Sequence, residues 1–297
     1  MSANKRRLSL LGWSFILGAL TNYCVAGEIG PGPPRVLKPG LTAYAFDISG
    51  NDDASGQIIF IESGKSDYAP RLIGGADQIG SFSFEFPTTL GELISNDVPV
   101  LISGAYGQRT GGTLLPLGYL KSANQEISAR PHHSWLVDTV ICTDPHKSES
   151  AIFSVEALDQ DMIKGFSDCA QTGPRLFQNG KNVVEVPEAD DESGRQHYVE
   201  TSRIQLFVCK GDDNPASPLG IGITTEKITL LILDKILPKL KIGNRKVCRN
   251  VTALSGSISA GMLINGKLVA GSATYLLTSA VAFVRRSGSP SRKSSLR

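Results

Sequence analysis

Leu41-Thr42-Ala43-Tyr44-Ala45-Phe46, then Asn51-Asp52-Asp53, then Gln57-Ile58-Ile59-Phe60-Ile61-Glu62 is the stretch on which the fold reading turns. Both flanks alternate or cluster apolar side chains at strand length, and the Asn/Asp triplet between them is turn chemistry. The segment therefore predicts a β-hairpin. The pattern recurs outward from it. Ser81-Phe82-Ser83-Phe84-Glu85-Phe86 alternates strictly, as a half-buried strand does, and Pro87 ends it. Residues 100–103, 135–142, 152–153 and 276–284 read as further apolar strands, and 104–113 as a loop. Composition agrees. Of 297 residues 31 are Gly and 16 Pro, a supply of turns suited to many short strands, and 41% are hydrophobic, enough for a sizeable core rather than a disordered chain.

Two segments carry helical periodicity. Ser154 offers an N-cap to a helix with Val155, Leu158, Met162, Ile163 and Phe166 on one face and Glu156 and Asp159 early, where acids suit the helix dipole. A second helix is predicted from Thr224 or Thr225, with Ile228, Leu231, Ile232, Ile236 and Leu237 on one stripe and Pro238 bending or ending it. Residues 88–95 read as a short third. The fold class that follows is α+β: a β-rich core of mixed or antiparallel sheet with two to three helices.

Residues 1–26 read as a secretory signal: Lys5-Arg6-Arg7, an apolar run over 8–20, and a cleavage position after Ala26. The alternative is an uncleaved N-terminal anchor. An extended Gly/Pro-rich lead-in (27–40), one domain (41–284) and a basic disordered tail (285–297) complete the organisation. The chain's net charge of +2 hides a segregation, because leader and tail are basic without acids and the body between holds 22 basic against 28 acidic residues. Such a body gives no footing for nucleic acid, and membrane contact is confined to the leader or weak tail attraction. Beyond Cys24 the cysteines number four, Cys142, Cys169, Cys209 and Cys248, as suits disulfides in a secreted or periplasmic protein. Three pairings are possible, and four separate buried thiols are the alternative.

Familiar catalytic patterns are missing. Ser259 has Gly261 after it but Ser257 before it, so no G-x-S-x-G elbow forms. His132, His133, His146 and His197 lack metal-ligand spacing and read as turn or surface residues. Residues 107–112 and Gly220-Ile221-Gly222 are glycine-rich without a nucleotide-binding order. No metal and no cofactor is expected. Asn250-Val251-Thr252 is a formal glycosylation sequon, and the acidic loop 187–194 reads as a solvated turn.

Three stretches resemble one family, the phosphodiester glycosidases related to the uncovering enzyme that removes N-acetylglucosamine from mannose-6-phosphate diesters. Gln171-Thr172-Gly173-Pro174-Arg175-Leu176, running on to Gly180-Lys181, resembles the family's Q-x-GP-x-L-x-x-x-G-K segment. Cys248-Arg249-Asn250, through Leu254-Ser255-Gly256-Ser257 to Ser259-Ala260-Gly261-Met262 and Asn265-Gly266-Lys267, is similar to its C-x-NALNLDGGxSSGM…NGK block. Leu101-Ile102-Ser103-Gly104-Ala105-Tyr106, with Pro116-Leu117-Gly118 downstream, is similar to NGGFF…P-x-G. Together they cover most of 95–285.

The resemblance implies a sugar-phosphodiester or envelope glycan as ligand. It makes Ser255 and Arg203 the catalytic candidates, and Ser103, Gly104, Tyr106, Gly173, Arg175, Gly256 and Ser259 the substrate-binding ones. Departures matter. Ser255 stands where the family carries aspartate, and Ser103 where it carries asparagine. Splitting a sugar from phosphate passes through an oxocarbenium-like state, which needs a carboxylate, and a serine hydroxyl holds no charge at neutral pH. Asp144, Asp168 and Glu200 are the substitutes the sequence offers. Two expectations stay open: a glycosidase-type hydrolase, or an inactive saccharide- or protein-binding module of the same fold.

Overall fold

The 41–62 hairpin forms in register. In a computed structural model of the chain, strands Leu41–Asp47 and Gln57–Ser63 pair antiparallel from Leu41 opposite Ser63 to Asp47 opposite Gln57. The structure describes residues 28–51, 53–63, 67–79, 82–147, 149–156, 160–184, 194–256 and 259–286. The expected leader, most of the acidic loop and of the basic tail, and Ser257 lie outside them.

The hairpin belongs to an eight-stranded sheet in the order Arg35–Lys38, Leu41–Asp47, Gln57–Ser63, Leu219–Thr224, Gln205–Lys210, Asn250–Gly256, Arg175–Gln178, Lys181–Asn182. A five-stranded sheet runs Lys267–Gly271, Gly261–Ile264, Val100–Ser103, Ser279–Arg285, Tyr68–Gly74. Another runs Gln125–Ser128, Leu120–Ser122, Asp168–Thr172, Thr139–Asp144, Glu149–Ser154. Every strand pairing in these sheets is antiparallel. The fold is β-dominated, with three short α-helices among the described residues.

The three sheets share one core. Leu206, Ile221 and Ile223 from the large sheet meet Leu72, Ile102 and Val281 from the second and Leu120, Ile141 and Ala170 from the third. The opposite face of the large sheet is covered too. Phe207 and Cys209 point away from Leu206 and Val208, into a cluster with Leu230, Leu233 and Ile236 of the helix Leu230–Ile236. Burial on both faces explains why Gln205–Lys210 is buried along its whole length.

Gly220 and Gly222 serve this packing. A methyl at Gly222 would stand 2.3 Å from Phe207 Cζ, and one at Gly220 1.9 Å from Phe60 Cζ. The two glycines make room for the rings. Gly222→Ala is expected to lower unfolding free energy by about 1–3 kcal/mol by overpacking, measured as a fall in the urea midpoint.

Local competition moved several predicted elements. Ser154 caps no helix; it ends the strand Glu149–Ser154 opposite Thr139, and Val155 extends the ladder by donating its N–H to Asp138 O at 2.8 Å. Among the described residues of this segment only Gln160–Lys164 is helical, and Met162, expected inside, is 42% exposed. The second helix starts later because Thr224 belongs to a strand. Thr229 is its cap, Oγ1 accepting from Ile232 N at 3.1 Å, and Pro238 falls in the closing 3₁₀ turn. Residues 88–95 form a short strand and turns instead of a helix. Trp135–Val137 is a 3₁₀ turn, capped by Ser134 and followed by strand Thr139–Asp144. The expected loop at 104–113 holds most of a hairpin, Gly107–Thr110 with Thr113–Pro116, whose turn residues Gly111 and Gly112 sit at φ +58° and +85°. No helix among the described residues is long and apolar enough to cross a membrane.

The four cysteines form two disulfides, Cys142–Cys169 and Cys209–Cys248. Such bonds persist in oxidising compartments.

Candidate functional site

The three family-like stretches contact one another. Arg175 and Phe177 pair with Thr252 and Val251, and Ala253 N–H donates to Pro174 O at 3.0 Å. Thr172 Oγ1 lies 2.8 Å from Ala253 O and 2.6 Å from Leu254 O, which fastens the Gly173-Pro174 turn beside the strand that carries Ser255. Across the second sheet, Ser103 Oγ accepts from Gly261 N–H at 2.7 Å. Gly104 lies against Ser279, where an added methyl would stand 2.4 Å from Ser279 Oγ.

At the Gly173 turn a carboxylate enters. A side chain at Gly173 would collide with Leu136 O at 2.6 Å and Asp138 Oδ1 at 2.7 Å, so glycine admits the 136–138 segment. Asp138 Oδ1 then accepts from Arg175 N–H at 2.8 Å and from Thr139 Oγ1 at 2.9 Å. Burial raises the Asp138 pKa above the ordinary carboxylate value, and these bonds offset part of the rise. Gln171 fixes the same corner, its amide oxygen accepting from Tyr119 and His132 N–H at 2.9 Å and its NH₂ donating to His132 O and Val137 O.

Asp138 and Arg175 line one cavity of about 480 Å³, with His132, Trp135, Ser154 and Glu156. Arg175 Nε is buried without a hydrogen-bond partner, and Nη2 reaches Ile152 O at 3.5 Å. Burial lowers the guanidinium's pKa, while Asp138 and Asp213 counteract it. The cavity thus pairs a cationic fork with a partly buried carboxyl, a combination suited to an anionic ligand and to proton handling.

An aromatic wall adjoins it. Trp135 meets Tyr198 edge-on at 5.4 Å, and Arg203 stacks over Tyr198 at 3.9 Å from the ring centre. Arg203 Nη2 donates to Tyr198 O at 2.8 Å and Nε to Thr201 O at 3.2 Å. The Tyr198 and Tyr106 hydroxyls lie 2.5 Å apart. Burial pushes both phenols up, Tyr106 well above its usual value, so both remain protonated.

Of the sequence-predicted residues, Arg175 lines the Asp138 cavity; Tyr106 and Arg203 meet through Tyr198 beside it. Ser255 Oγ is buried without a hydrogen-bond partner, next to Gly256 on strand Asn250–Gly256. Ser259 is half-buried just before Gly261. The carboxylates offered as substitutes lie elsewhere. Asp144 accepts turn N–H groups from His146 and Lys147, Asp168 is buried against Ala123 N–H and Ser167, and Glu200 is exposed beside Gln196. Asp138 is the residue the sequence reading missed. Asn250 of the sequon is buried, with Nδ2 on Asp213 Oδ1 at 2.7 Å, a placement closed to glycan attachment in the folded chain. Among the described residues no group of three or more His, Cys, Asp or Glu is placed to hold a metal.

No protein-family model matches the sequence, and no curated protein does. Solved structures do. The zebrafish N-acetylglucosamine-1-phosphodiester alpha-N-acetylglucosaminidase catalytic domain superposes with a TM-score of 0.60 at 14% identity, over 87% of this chain and 88% of that one. The two share a fold. A hypothetical protein from Synechocystis matches at TM-score 0.53 and 12% identity, over 87% of this chain and 68% of its own. A Burkholderia pseudomallei protein described as exported matches at 0.51 and 7%, over 79% and 75%. At these identities the likeness concerns backbone architecture alone.

Proposed function

We propose that this chain is an exported, phosphodiester-glycosidase-like protein that binds and hydrolyses a sugar phosphodiester of a cell-envelope glycan in the Asp138–Arg175 cavity. The observation that carries the reading is the presence in one cavity of a guanidinium and a carboxyl with a raised pKa. The fold, shared with a domain named for N-acetylglucosamine-1-phosphodiester cleavage, supplies the substrate class. In this reading Arg175 pairs with phosphate oxygens and Asp138 serves as carboxylate to the sugar carbon or its attacking water. Arg203 acts as a positioning residue, holding Tyr198 against Trp135 and beside Tyr106. Ser103 ties its strand to Gly261, Gly104 packs against Ser279 and Gly173 admits Asp138; Gly256 and Ser259 flank the site on the stretch that carries Ser255, a hydroxyl in the aspartate's place.

The test is release of free sugar from an N-acetylglucosamine 1-phosphodiester by the purified chain. Arg175→Gln is expected to raise KM about 10–100-fold, the worth of a charge-assisted hydrogen bond, with a smaller effect on kcat. One observation favours a second reading, a binding module without turnover: Ser255 Oγ is buried and unpartnered where the family's pattern has a charge. Saccharide binding without release, in the parent and in Ser255→Asp alike, would select it. Neither binding nor release would overturn both.

A further inference from the structure

The segment Arg245-Lys246-Val247-Cys248-Arg249 points its side chains two ways. Val247 and Cys248 are buried, whereas Arg245, Lys246 and Arg249 are exposed. The three cations line a second cavity, of about 540 Å³, with Phe177, Gly180 and Gly211. Its backbone is tied down on several sides. Cys248 is bonded to Cys209, Arg249 N–H donates to Lys210 O at 2.9 Å, and Arg249 O accepts from Gly180 N–H at 2.7 Å. Strand Arg245–Lys246 pairs with Lys241–Ile242.

The charges are unequally satisfied. Arg245 Nη2 meets Glu62 Oε2 at 2.7 Å. Lys246 and Arg249 have no hydrogen-bond or ion-pair partner for their side chains among the described residues. The body of this chain has acidic residues in excess, 28 against 22 basic, yet none of the cavity-lining residues is acidic. A concavity of this size suits a small charged group better than a flat macromolecular surface. A planar guanidinium beside a compact ammonium is a pairing that recognises tetrahedral or planar oxoanions.

We propose that this cavity binds the oxoanion of an acidic saccharide, phosphate or carboxylate, with Arg249 and Lys246 as its counter-charges and Arg245 held to one side by Glu62. The site shares no lining residue with the Asp138 cavity and stands or falls independently of turnover there.

The experiment is a calorimetric titration of the Arg175→Gln chain, in which the first cavity's anion contact is removed, with glucose 6-phosphate, glucuronate and glucose. Glucose 6-phosphate or glucuronate should bind, more weakly as salt is added, and glucose should not. The arm that binds identifies phosphate or carboxylate as the ligand's charge. Adding Lys246→Gln and Arg249→Gln should weaken that binding about tenfold with an unchanged urea midpoint, since both side chains are exposed. Binding of neither anion, equal binding of glucose, or undiminished binding by the triple variant would overturn the proposal. Sugar release plays no part in the readout.

Discussion

Asp138→Asn is expected to lower sugar release about 10²–10⁴-fold, the usual cost of losing a catalytic acid–base group, with little change in stability. An amide oxygen can still accept from Arg175 N–H and Thr139 Oγ1, so the bonds that hold this corner survive the exchange. What is lost is the charge. In the reaction proposed above the departing group is a phosphate monoester whose second ionisation lies near pH 6, so it leaves without needing a proton. On that reading the carboxyl works ionised, facing water or the positive charge that develops on the sugar. Burial raises its pKa above the ordinary 3.8. Protonation removes the active form, so the rate should fall as pH drops through that raised pKa, and the residual rate of the Asp138→Asn chain should lack this limb. A pH–rate profile of kcat/KM checks both. An unaltered rate in the variant, or the same acid limb in both proteins, would remove Asp138 from the chemistry.

The hairpin at 41–62 was legible because period-two patterning and a turn triplet have few alternatives once a sheet is available to cover the apolar faces. The two-disulfide framework could be anticipated from an even cysteine count, though not its pairing, which depends on cysteines 27 and 39 residues apart becoming neighbours. Helical periodicity misled at the start of 154–166, where pairing of the strand Glu149–Ser154 with Thr139–Asp144 took Ser154 and Val155, and held at Gln160–Lys164. Apolar side chains at such positions satisfy either geometry, and tertiary pairing decides. In the candidate site, Gly173 and Arg175 stood out through their motif. Asp138 did not, because a carboxylate between a 3₁₀ turn and a strand has no spacing signature. Its placement comes from a glycine 35 positions later that leaves room for it, and its chemistry from burial that no local pattern announces. Tyr198 was hidden for a similar reason. Its partners Tyr106, Trp135 and Arg203 are brought together from separate segments.

Removing the Cys209–Cys248 disulfide by paired alanine substitution is expected to destabilise the chain by about 4 kcal/mol, because a loop of this length restricts the unfolded ensemble by roughly that amount. Set against a typical total of about 5–15 kcal/mol, the loss is large. For a protein of this size it corresponds to a fall of about 8–16 °C in Tm. The position sharpens the expectation. Cys209 lies in a strand buried on both faces, and Cys248 immediately precedes Arg249 and the strand Asn250–Gly256 that carries Ser255. Loss of the bond should therefore loosen the basic cavity before it touches the strand Leu41–Asp47, which two other strands separate from Gln205–Lys210 in the sheet, because Arg249 keeps only its backbone bonds to Lys210 and Gly180. Hydrogen exchange should show faster exchange at the Gly180 and Arg249 amides than at Ala43 or Ala45, alongside a lower urea midpoint. The parent chain treated with reductant loses Cys142–Cys169 as well and should unfold at or below the variant's midpoint, as it would if made in a reducing compartment. Equal midpoints for oxidised, reduced and substituted chains would show that strand pairing alone holds this edge of the sheet, and that the disulfide adds nothing to its stability.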